Sequence, residues 1–165
     1  MDSVRGVFFT NLEDKGTTLA FDVKTRKPLS TWNPGCNSDG PRGLAIDVAR
    51  QIPVACPDRL VSLLVTHNGA KAAELPVGDG VDNIDYLPSR QEVFVAASIA
   101  ETLTIVHLGP QGELEVSART ATAKGTRVVI ATKGRHTAFV ADSYGKRLIM
   151  AKRPSASGAL KKTAQ

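Results

Sequence analysis

Within nine residues, VGDGVDNID (77–85), the chain sets Asp79, Asp82 and Asp85 beside Asn83, a group of hard-oxygen side chains in a glycine-bearing stretch. Oxygen donors of this kind are what Ca²⁺ takes. The ligand order of an EF-hand loop is absent, however, and a strand through the segment would send successive side chains to opposite faces. The carboxylates are therefore expected to diverge, and no metal site is assigned.

His67 lies in the turn THNG, His107 in a strand-like run and His136 in KGRH, too far apart in the pattern to imply one ligand set. Ser143, beside Asp142, has neither a strand–turn–helix elbow nor a paired base, so no catalytic residue and no cofactor is assigned. Cys36 and Cys56 are the only cysteines. Without a CxxC they are too sparse for a disulfide framework or a zinc site, and Cys56 reads as a small strand-end residue rather than a reactive thiol.

Charge is the sharper signal. Residues 1–118 carry ten Lys or Arg against fifteen Asp or Glu, whereas residues 119–165 carry eleven against one, Asp142. Lys124, Arg127, Lys133, Arg135, Lys146, Arg147, Lys152 and Arg153 make the last part a candidate patch for an anionic partner, nucleic acid included. Few aromatic residues stand there to stack bases. The alternative is that the basic part complements the acidic one, within the molecule or between copies.

The elements that must place these residues repeat. VFFTN (7–11), IPVAC (52–56), VFVAA (93–97) and AFVAD (138–142) recur at offsets of 45, 41 and 45, so that Asn11, Cys56, Ala97 and Asp142 fall at matching strand ends. Each is followed by a strand opening on leucine: Leu19, Leu60, Leu103 and Leu148. Turns such as HNGA and GPQG then lead to a third run, as in hairpins. A run opening on glycine precedes the later copies, at Gly40, Gly80 and Gly125. Pro53 removes a ladder donor and should weaken or bend its strand.

Four-stranded antiparallel meanders at this period are the sign of an all-β propeller of packed sheets. The units span about 6–35, 40–78, 80–122 and 125–153, roughly three and a half blades in a domain of 1–153. The first unit lacks its innermost strand and the last its outermost. The tail 154–165 is basic and is expected to be disordered.

AFDVKTRKPLSTW and GPRGLAIDVARQIPVAC resemble the YVTN-type propeller repeat, related to the NHL and lactonase-like propellers. The resemblance covers nearly the whole chain and implies a partial propeller, with open ends suited to a protein partner or to self-association through open sheet edges. Such propellers host binding proteins, enzymes and scaffolds. A lactonase-like member would need a divalent ion held from several blades, and Asp82 and Asn83 have no matching donors in the other units.

Aligning the three glycines makes Arg42, Asp82 and Arg127 equivalent, with Asn83 beside Asp82, at the mouth of the expected channel. Two guanidinium groups there could hold a carboxylate or phosphate; alternatively, Asp82 simply pairs with both. The sequence thus points to a non-enzymatic binding module for a protein or anionic partner. The alternatives are a metal-dependent lactonase-like hydrolase and a non-specific nucleic-acid binder. No membrane span is visible, and no export signal opens the chain, which reads as cytoplasmic as written; periplasmic or secreted location is implied if the true N-terminus lies upstream.

Overall fold

The computed structural model of the protein describes residues 1–47, 51–133, 137–152 and 161–164. Four antiparallel sheets follow one another along the chain. The first holds β1 (Val7–Leu12), β2 (Thr17–Asp22) and β3 (Pro28–Trp32); the second holds β4 (Gln51–Cys56), β5 (Leu60–Val65) and β6 (Lys71–Pro76). The third holds β7 (Val81–Leu87), β8 (Glu92–Ala97), β9 (Thr102–Leu108) and β10 (Leu114–Ala121). The fourth holds β11 (Val129–Thr132), β12 (Thr137–Asp142), β13 (Arg147–Lys152) and β14 (Lys161–Ala164). All neighbouring strands in the last two sheets are consecutive in the chain, as in a meander. Among the described residues, no helix is long and apolar enough to cross a membrane.

Alternation along each strand gives a sheet two apolar faces, and successive sheets bury them against one another. Phe9 and Ala20 of the first sheet pack on Ile52, Val54 and Leu64 of the second. Ala55 and Val61 turn to the opposite side and meet Val81, Val93, Val95 and Val106 of the third. Phe94, Ala96, Leu103 and Ile105 then meet Val129, Ala138, Val140 and Ala151 of the fourth. Trp32 closes the first of these seams by lying over Gly69, where any Cβ would fall inside the indole ring.

Equivalence between sheets is fixed by the hairpin that joins the second and third strands of each unit. Its closing pairs are Leu12 with Thr17, Cys56 with Leu60, Ala97 with Thr102 and Asp142 with Arg147. The last residue of each turn, Gly16, Arg59, Glu101 or Lys146, takes a positive φ. The partner of Cys56 in the first unit is therefore Leu12, one residue later than the expected Asn11, and Phe9 rather than Phe8 holds the place of Phe94. Two adjacent phenylalanines made both registers fit the pattern.

The second sheet carries the effect of Pro53. Arg42 and Ala45 donate backbone N–H groups to the carbonyls of Ala55 and Pro53, and Ala55 donates to Gly43. Pro53 has no N–H to return, and among the described residues the inner segment makes isolated bridges, Leu44 with Val54 and another at Asp47, instead of a full strand. The strand β4 itself is not broken.

Two expectations are corrected. Cys36 and Cys56 form a disulfide with Cα atoms 5.0 Å apart, because the loop after β3 crosses the end of β4 on its way to the inner segment. Residues 161–164 of the expected disordered tail pair with β13 from Ile149 to Lys152, which supplies the outermost strand thought to be missing. Residues 154–160 and 165 of that tail lie outside the described residues.

Candidate functional site

Arg42, Asp82 and Arg127 stand at the start of three neighbouring inner segments. Each precedes by two residues the one that pairs with the second strand: Leu44 with Val54, Ile84 with Val95, and Val129 with Val140. The three positions are thus equivalent, and packing of the sheets brings them together. Gly43 makes the approach possible: its N–H donates to the Asp82 carbonyl at 2.8 Å, and a Cβ there would press on the backbone of 82–84.

The side chains form an alternating row. Glu13 Oε1 meets Arg42 Nη2 at 2.8 Å, Arg42 Nη1 lies 3.8 Å from Asp82 Oδ1, and Arg127 Nη1 lies 3.7 Å from Asp82 Oδ2. The two contacts to Asp82 exceed hydrogen-bond length, so the carboxylate attracts both arginines without saturating their donors. Arg42 Nε is buried with no hydrogen-bond acceptor, and the Arg127 side chain is 63% exposed. Beside the row lies a cavity of about 200 Å³, lined by Asp39, Arg42, Asp82, Ser98, Ile99 and Arg127 among others.

Glu13 and Ser98 were not singled out from the sequence. Both open the turn after the second strand of their unit, as do Pro57 and Ser143, and this turn overhangs the next inner segment. The carbonyls of Pro57 and Ser98 accept the N–H groups of Gly80 and Gly125 in the next unit, while Ser98 Oγ and Ser143 Oγ donate to the Gly80 and Gly125 carbonyls of their own units. A signal existed in the repeat, but the one-residue slip in the first unit hid it.

Asn83 has a different use. Its Oδ1 accepts the N–H of Val129 at 3.2 Å, and Asp85 Oδ2 accepts that of Ala131 at 2.8 Å, so the two residues join β7 to β11. Asp79 accepts from Arg59 Nε at 2.7 Å. The oxygen donors of 77–85 thus go to separate partners, and among the described residues no group of three His, Cys, Asp or Glu could hold a metal ion. His67 is exposed and His107 half-buried; His136 lies outside the described residues.

The basic residues of the fourth sheet divide between its two ends. Arg127 lines the cavity, and Lys146 lies at the end of the sheet where Asp142 pairs with Arg147, with Lys124 in the turn before the inner segment. Lys133 and Lys152 are at the other end, beside the Thr132–Thr137 pair. Arg147 Nε donates to Asp142 at 2.9 Å. The Gly145 N–H, followed by Arg147, holds the Asp142 carboxyl below its ordinary value despite burial. Arg135 and Arg153 lie outside the described residues.

No family model and no curated protein matches the chain. Solved structures do. A Lactobacillus plantarum protein superposes with a TM-score of 0.83 at 14% identity, over 100% of this chain and 55% of its own. A Bacteroides uniformis protein described as a "putative 6-phosphogluconolactonase" gives 0.82 at 17%, over 99% and 52%. Hydrazine synthase of Kuenenia stuttgartiensis gives 0.77 at 18%, over 97% and 46%. The neighbours are β-propeller-like, and at these identities the likeness shows the fold alone. The chain spans about half the length of the solved chains it matches.

Proposed function

We propose that the chain is a YVTN-type partial propeller acting as a non-enzymatic binding module, with a small anion as ligand at the mouth formed by Arg42, Asp82 and Arg127. The observation that carries this reading is the alternating row, which leaves Arg127 exposed beside a cavity with donors unfilled. A carboxylate or phosphate entering there would take forked N–H groups from Arg127 and compete with Asp82 for Arg42. The cavity is small by the standard of metabolite sites, which favours a compact ligand.

The lactonase alternative gains nothing from the site, since Asn83 and Asp85 spend their oxygens on β11. Nucleic-acid binding is disfavoured by the division of the cations between two ends of one sheet. The Cys36–Cys56 disulfide supports an oxidising compartment over the cytoplasm.

Calorimetric titration with small carboxylates and inorganic phosphate at low salt tests the reading. Binding should weaken about tenfold in Arg127→Ala, the loss expected for a charged hydrogen bond, and should tighten in Asp82→Asn, where the competing carboxylate is gone. A chain that binds none of these anions at low salt would refute it.

A further inference from the structure

The second and third sheets are covered on both faces, and the apolar residues of β4, β8 and β9 are buried there. Among the described residues, the first and fourth sheets are each covered on one face only. On the fourth, Phe139, Ala141, Leu148 and Met150 occupy the places that Phe94, Ala96, Leu103 and Ile105 hold on the third. The latter four are at most 6% exposed, whereas Leu148 is 60% and the adjoining Ile130 is 59% exposed. On the first sheet, Phe8 and Leu19 occupy the places of Val93 and Thr104, which are fully buried under the second sheet, yet Phe8 is 46% exposed.

The two bare faces are of complementary kinds. In each seam the face bearing Phe94-type residues receives the face bearing Val93-type residues, and the chain carries one unused example of each, at opposite ends. We propose that a second copy of this chain covers both, each fourth sheet packing on the partner's first sheet, so that two copies of four sheets close one ring. Eight sheets lie within the known range of propellers.

The inner positions of the fourth sheet favour a first sheet as neighbour. Asn83 and Asp85 accept N–H groups from the next inner strand, and their equivalents here are Val128 and Ile130. Among the described residues, the inner side of the first sheet is the single bridge of Asp2 with Val7, at the place of Leu87 with Glu92. Apolar side chains at 128 and 130 need no N–H group from such a neighbour. The closed pair would set two of the Glu13–Arg42–Asp82–Arg127 rows around one channel.

The mass in solution tests this. Sedimentation equilibrium of the 165-residue chain should give about 35 kDa, twice 17.5 kDa. Phe8→Asp and Leu148→Asp should each give single chains, because every junction in either pair then has one damaged face. An equal mixture of the two variants should regain the double mass, since one junction of the mixed pair has both faces intact. Far-UV circular dichroism checks that each variant folds, with Phe8→Ser and Ile130→Ser replacing any that does not. A wild-type mass of one chain, open-ended growth, a dimer that either variant leaves whole, or capture of a different polypeptide in place of the second copy would each overturn the proposal.

Discussion

Cys56 is fully buried at the end of β4, and its bond to Cys36 ties the loop after the first sheet to the second. A cross-link closing a loop of this size removes unfolded-state entropy, so reduction should lower the unfolding free energy by about 3 kcal/mol. Urea unfolding with and without a phosphine reductant measures it, and Cys36→Ser should behave like the reduced chain. A second residue-scale prediction concerns acid. Asp2, Asp22 and Asp142 each have their carboxyl held below the ordinary value, chiefly by backbone N–H groups, of Arg5, Thr25 and Gly145 respectively. A folded value below the unfolded one means that the stabilisation is present above the unfolded value and is lost as pH falls through the folded one. Stability should therefore decline as pH falls below the ordinary aspartate value of 3.8, and carboxyl resonances of these three residues should titrate later on acidification than those of an unfolded peptide. The arginines and Asp82 were legible in the sequence because a glycine marks each inner segment at the same offset. The disulfide was not, since nothing in a spacing of twenty says that the loop after β3 folds back across β4.

At the scale of elements, the repeat made the strands readable because four imperfect copies correct one another. Where a copy was ambiguous the reading slipped: Phe8 and Phe9 both suit a buried strand position, and only the four-residue turn closing on Thr17 decides between them. The hairpin turns also hold the seams. Gly69 has φ 69° in the turn after β5, under the face of Trp32. Gly69→Ala places a methyl where the ring lies and strains the turn, so the first sheet should lift from the second at a cost of about 1–3 kcal/mol. Trp32 is the single tryptophan. Its fluorescence should move to longer wavelength in the variant, whereas an unchanged spectrum with unchanged stability would show that the seam does not depend on this contact.

At the scale of the whole molecule, burial is graded along the chain, and the gradient makes a prediction about opening. Every residue of β8 is buried, while β3 and β13 include several exposed positions. Backbone amides exchange through local openings whose cost follows the apolar surface uncovered, so sheets covered on both faces should open last. In dilute solution, amides of β8 and β9 should exchange slowest and those of β1, β2 and β13 fastest. If a second copy covers the bare faces, the terminal sheets should gain protection as protein concentration rises, because association stabilises by mass action. The third sheet, already covered, should change much less. Hydrogen exchange followed by mass spectrometry at low and high concentration separates the two contributions. Concentration-dependent protection confined to the first and fourth sheets would locate the junction on the faces of Phe8 and Leu148; protection spread evenly over all four sheets would argue against it, since a face-to-face junction acts first on the sheets that form it.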